Sequence, residues 1–374
     1  MVQLVFVHGV ATRSDGSYAQ GVANRDTLFR KIAFEGRDLT IYSPLWGDHV
    51  PRIEPKVFGT DEGVGSFSIG AAATSGQMGG LGGAAAAATG GDLAAVARQN
   101  ATVAIDAAFA QVLETADRAG RPLTAEELAA FRQAVEAIEQ NAAPAKVDGA
   151  ATDAELAKSL GSVGSASFGI GNSLAKAVSA VTDRIRNTAS TVAFGSVRDF
   201  ISPAVGLFLG DVFAYLHQGS LRDRIQEVIR ADLICAHEAS KGEGGPVVVI
   251  GHSMGGVILV DMLQDLDAAR LPADLRVAAL FTVGSQPGLF KSLGVLAGAA
   301  GPDGRTPRPP CVAAWINVFD PIDPLAFRAD PLYSGVEDLV FDSITGLASA
   351  HTTYFSRPQF HARFRKRLSG GGII

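Results

Sequence analysis

The chain has 374 residues, of which 47% are hydrophobic and 19% charged, with a formal net charge of −6. This is enough apolar material for a packed core and rules out a wholly disordered chain. The mild acidity, with no strongly basic domain, gives no reason to expect nucleic acid as a partner. The two cysteines, Cys235 and Cys311, stand in no CxxC or metal-type spacing. Neither a disulfide framework nor a metal site is expected, and both read as buried thiols.

The apolar run 2–7 reads as a strand. It has no basic stretch before it and is too short for a signal-peptide core, so a cytoplasmic chain is expected, with non-Sec secretion left open. A helical stretch near 24–35 and a second strand at Leu39–Tyr42, closing in Trp46-Gly47-Asp48, follow. The region 52–195 departs from this alternation. From Gly63 to Gly91 there is no charged residue, and Gly and Ala supply 18 of the 29 positions. A membrane span needs about 20 mainly apolar residues, with Leu, Ile, Val or Phe supplying most of the transfer energy. A flexible or closely packed insertion is therefore expected there. A helix is predicted over 92–118. Another starts at Thr124, where Thr124 and Glu127 have capping-box spacing, and a third at Thr152 with Glu155. A Gly/Ser/Ala-rich patch covers 159–175, and a helix pair near 196–218 and 220–239 comes next.

After residue 245 strand-like runs return at Val247–Ile250, Val277–Val283 and Val312–Phe319, with a weaker one at 338–341. Short continuous apolar strands alternating with helices predict an α/β fold: a mainly parallel central sheet with helices on both faces. The catalytic part is expected to comprise 1–51 and 196–374, with 52–195 as a helical, Gly/Ala-rich insertion acting as cap or lid.

The densest chemical signal is Gly251-His252-Ser253-Met254-Gly255. This G-x-S-x-G lies directly after one strand and directly before a helical run, the context in which the motif carries mechanism. Gly251 and Gly255 allow the close approach that a tight strand-to-helix turn demands. The turn presents the Ser253 hydroxyl at the carboxyl edge of the sheet. The helix start behind it offers free N–H groups to a developing anion.

Gly251-His252-Ser253-Met254-Gly255-Gly256 resembles the nucleophile elbow of lipases and esterases of the α/β-hydrolase superfamily, and Val7-His8-Gly9-Val10 is similar to their oxyanion loop. The likeness covers 1–48 and about 205–368 and leaves the insertion unexplained. It implies an α/β-hydrolase fold, Ser253 as nucleophile, and an oxyanion hole made by the backbone N–H groups of Val10 and Met254. Among the seven histidines, the fold's chain order implies His351 as base. His361 reads as a surface helix residue and His252 as packing, turned away from Ser253. His8 holds the loop, His217 and His237 lie on the preceding helices, and His49 stands at the insertion's entrance. For the acid, Asp323-Pro-Leu-Ala looks like the segment around the acid in lipase-like relatives, which favours Asp323. Asp320 is the runner-up, with loop bracing as its other role.

The expected activity is hydrolysis of carboxylic esters, lipid-like or acyl, through an acyl-enzyme, without metal or cofactor. The expected partner is a small-molecule or lipid ester. Peripheral membrane contact stays open through the basic stretch Arg363 to Arg367, whose other reading is a solvated helix end. The alternatives are a membrane-acting effector or toxin whose Gly/Ala-rich insertion contacts lipid, a binding module that kept the fold, or another acyl-transfer enzyme (thioesterase, amidase or acyltransferase).

Overall fold

The computed structural model describes residues 1–10, 12–14, 18–51, 92–140, 147–161, 170–190, 210–217, 219–342 and 350–374. The stretch 63–91, residues 162–169 of the patch 159–175 and most of the helix expected at 196–218 lie outside them.

Six strands form the central sheet: β1 (Val2–Val7), β2 (Leu39–Tyr42), β3 (Val247–His252), β4 (Val277–Val283), β6 (Val312–Phe319) and β8 (Val336–Val340). Their order is β2-β1-β3-β4-β6-β8. Every pairing between them is parallel. Two short strands, β5 (Thr306–Pro307) and β7 (Tyr333–Ser334), pair separately. The weak run expected at 338–341 is β8, at the sheet edge, starting two residues and ending one residue earlier.

Successive side chains of a strand point to opposite faces, and both faces are buried here. Val5, Val7, Val247, Val249 and Leu280 face one core, which they share with α7 (Ser220–Glu243) and α8 (Met254–Gln264). Leu4, Phe6, Val248, Ile250 and Phe281 face the other. That core is covered by the π-helical turn Phe29–Ala33, which continues α1 (Tyr18–Leu28), and by α10 (Pro358–Gly370). This double coverage is why the strands read as continuous apolar runs. A third core joins α2 (Leu93–Gln99), α3 (Ala101–Arg118), α4 (Ala125–Glu139), α5 (Asp153–Leu160) and α6 (Gly171–Ser190). It also takes in Leu28, Ile32 and Ala362. The described helices of the 52–195 region therefore pack against the α1–α10 layer.

The helix expected over 92–118 is two helices. Asn100 leaves helical geometry and its side chain accepts the Val103 N–H, capping α3. An Asn side chain competes well for a free N–H, which makes it a helix start inside an otherwise helical pattern. The Thr124–Glu127 capping box forms with both of its hydrogen bonds. Cys311 is buried just before β6, whereas Cys235, against the expectation of burial, is exposed on α7. The residue lies on the outward stripe of its helix, whose inward stripe is Ile225, Ile229, Leu233 and Ala236. Among the described residues, no helix is long and apolar enough to cross a membrane.

Candidate active site

The strand order reverses direction between β1 and β3, and in open α/β sheets the crevice outside the carboxyl ends at such a point is where ligands bind. The two motif-bearing loops leave the sheet there: His8-Gly9-Val10 after β1, and Ser253 after β3. Ser253 adopts φ 51° and ψ −128°. A positive φ in a non-glycine residue costs on the order of 1–3 kcal/mol and persists only where the surroundings enforce it. Here the Ser253 N–H donates to the Val283 carbonyl at 3.0 Å. The Ser285 hydroxyl donates to the Ser253 carbonyl at 2.6 Å. A Cβ at Gly255 would lie 2.4 Å from the Val7 carbonyl oxygen, so the elbow helix presses directly onto the end of β1.

His351, Asp323 and Ser253 come together at this edge. The Ser253 hydroxyl lies 2.8 Å from His351 Nε2. On the other side of the ring, Nδ1–H donates to Asp323 Oδ2 at 2.9 Å. Asp323 is buried, and its Oδ1 accepts the Leu325 N–H at 2.9 Å. The carboxylate that meets the imidazole is Asp323, and Asp320 has another place. Its carboxylate accepts the Ile322 N–H at 3.0 Å and braces the turn that carries Asp323.

The His8-Gly9-Val10 loop is pinned at several points. Trp46 stacks on His8 at 5.0 Å and donates its indole N–H to the His8 carbonyl at 2.9 Å. Arg13 forks onto Asp211 with contacts of 3.2 and 2.6 Å, a bidentate geometry that fixes orientation as well as distance. A Cβ at Gly9 would sit 2.7 Å from Ser253 Cβ, which measures how closely the loop approaches the hydroxyl. Met254 is the first residue of α8, a position whose N–H has no acceptor within its own helix.

The histidines divide by environment. His252 packs against the segment that carries His351. Its Nε2–H donates to the His351 carbonyl at 2.8 Å, and the two rings lie 4.9 Å apart. Surrounding protein, and then the nearby His351, lower its pKa to about 3, so it sits beside the site as a neutral donor. His8 is lowered to about 4 by burial, partly offset by its hydrogen bond to the Gly9 carbonyl. His361, expected on the surface, is fully buried. It lies between Phe29 and Phe131, with Nε2–H donating to the Phe355 carbonyl at 2.8 Å, and burial lowers its pKa to about 4. The α3–α4 pair covers a helix face that would otherwise meet solvent.

The basic stretch is not a free cationic patch either. Arg365 pairs with Glu139 at 3.2 Å, Arg367 with Glu337 at 2.8 Å, and Arg363 donates to the Val340 carbonyl at 2.6 Å. Three side chains around the site were not read from the sequence: Trp46, Ser285 and Tyr354. Tyr354 stands three residues after His351, a spacing that marks nothing by itself, and only the long-range contact gives it meaning. Among the described residues, no cluster of three or more His, Cys, Asp or Glu could hold a metal ion.

A protein of Schizosaccharomyces pombe named as a probable mitochondrial phospholipase is 28% identical over 145 residues, covering 33% of this chain and 19% of that protein. The chain thus spans about a fifth of that relative's length. No family model and no solved structure matches the chain.

Proposed function

We propose that this chain is a serine hydrolase of the α/β-hydrolase type that cleaves carboxylic esters of lipid-like substrates. One observation carries the reading: a single imidazole, His351, bridges the Ser253 hydroxyl at 2.8 Å and the buried Asp323 carboxylate at 2.9 Å. A neutral serine is a poor nucleophile, and a base within hydrogen-bond reach, oriented by a third group, is the arrangement that activates it.

In this mechanism Ser253 Oγ attacks the ester carbonyl while its proton passes to His351 Nε2. Asp323 stabilises the imidazolium and holds the tautomer that presents Nε2 to the serine. The N–H groups of Val10 and Met254 receive the oxyanion, each donor contributing about 3 kcal/mol of barrier lowering. Collapse expels the alcohol, which takes its proton from His351. Water activated by the same base then releases the acid from the acyl-enzyme. A lipid-like acyl group is favoured by the likeness to a protein named as a phospholipase and by the uncharged, Gly/Ala-rich segment 63–91, proposed as part of a cap.

Labelling with a fluorophosphonate, together with hydrolysis of p-nitrophenyl esters from acetate to palmitate, tests the reading. Wild-type protein should label, and Ser253→Ala should lose labelling and about 10⁴-fold or more of kcat. Labelling that survives in Ser253→Ala, or a wild type that never labels, would sink the proposal. Rates that stay flat across acyl length would leave an esterase and remove the lipid pocket.

A further inference from the structure

Asp323 holds more than one partner. The oxygen that accepts His351 Nδ1–H, Oδ2, also accepts the phenol O–H of Tyr354 at 2.8 Å. The phenol oxygen in turn accepts the Asp320 N–H at 3.1 Å. A hydroxyl has one proton to give, so the backbone donor at Asp320 fixes its rotor and sends that proton to Asp323. Tyr354 is 1% exposed. Burial, reinforced by the Asp323 charge, pushes its pKa well up and keeps the phenol a donor at any working pH. Room for the contact is made by Gly284, where a Cβ would lie 2.7 Å from the Tyr354 ring and 3.2 Å from Asp323 Oδ2. His351 and Tyr354 belong to one short segment, so a single turn of chain meets the same carboxylate oxygen with two side chains.

We propose that Tyr354 is a positioning residue of the site: by sharing the Asp323 oxygen with His351, it holds the carboxylate in place against the imidazole and takes up part of that oxygen's hydrogen-bonding capacity. The inference rests on the serine-hydrolase reading. Its physical content is a competition. A carboxylate that already accepts one hydrogen bond has its charge partly spent, and it stabilises a neighbouring imidazolium less than an unshared one would. A tyrosine that merely fills the core would contribute stability and leave the pH profile of catalysis alone.

The test is the acid limb of the kcat/KM pH profile, which reports the base in the free enzyme, measured on an ester that the wild type hydrolyses. Tyr354→Phe keeps the ring and removes the donor. It should move the limb up by about half to one pH unit and lower kcat about tenfold, a loss within the range for second-sphere partners. Incorporation of 3,5-difluorotyrosine at 354, a stronger donor of the same shape, should move the limb the other way. It carries the test even if Tyr354→Phe does not fold. A limb within about 0.2 units of wild type in the folded variants overturns the inference, whether or not kcat falls, because a packing role predicts that outcome. Fluorophosphonate labelling of the wild type separates the two claims. An unlabelled wild type sinks the hydrolase reading, whereas a labelled wild type with an unmoved limb sinks only the role of Tyr354.

Discussion

At the scale of single residues, the site depends on positions where a side chain would intrude. Gly284 has φ +55°, and a Cβ there would press on Tyr354 and Asp323 together. Gly284→Ala is expected to fold with native circular dichroism but to lower kcat/KM by about 10²-fold, the scale of loss when catalytic groups are displaced by about an ångström. Activity within twofold of wild type would show that the Asp323–Tyr354 contact tolerates displacement. The histidines teach a related lesson. His361, expected on the surface from its neighbours in the chain, is buried. What decides a side chain's environment is the element that packs over it. His252 faces the carbonyl of a residue 99 positions away, and His361 is covered by helices of the insertion.

At the scale of elements, the helices of the 52–195 region are joined to the segment carrying His351 by a fully buried ion pair. Arg357 and Asp106 on α3 both have side chains at 0% exposure. The second Asp106 oxygen accepts the Gln359 N–H at 2.8 Å, at the start of α10. Burial raises the Asp106 pKa, and Arg357 offsets only part of that rise. Removing one member leaves the other charge buried without compensation, which typically costs 3–5 kcal/mol. Asp106→Ala should lower unfolding stability by about that much in urea titrations. The double change Asp106→Leu with Arg357→Met should recover most of it, because well-packed apolar pairs substitute for buried ion pairs at little cost. If the double variant is no more stable than Asp106→Ala, buried charge is not the cause. Element starts were largely legible in the sequence: the Thr124 capping box and the elbow helix α8 both follow local rules. The break at Asn100 was missed because a helical apolar pattern ran through it on both sides.

For the whole molecule, the neutral buried histidines set a pH dependence. Burial lowers the folded pKa values of His8 and His361 to about 4, below the ordinary histidine value of 6.5. Between these values the unfolded chain binds protons that the folded chain refuses. Stability is therefore fully present above about pH 6.5 and is lost as pH falls toward 4. Two such sites give a slope of up to about 3 kcal/mol per pH unit near pH 5, and His252, lowered to about 3, acts in the same direction. Thermal unfolding followed from pH 7 to about 4 should show a Tm that falls steadily, less so in His361→Gln, which removes one titrating site. A Tm independent of pH across that range would contradict the burial of neutral imidazoles.

The sequence by itself determined the α/β class, the strand–turn–helix at Ser253 and the candidates His351, Asp323 and Asp320, because these follow from periodicity, turn chemistry and chain order, which are carried by neighbouring residues. Only the tertiary structure decided which aspartate meets the imidazole, that His252 holds the segment carrying His351 while Tyr354 ties that segment to Asp323, and that the described helices of the insertion lie against α1 and α10. Those facts depend on which faces meet across hundreds of residues. A local pattern records that a face is apolar but not what comes to cover it.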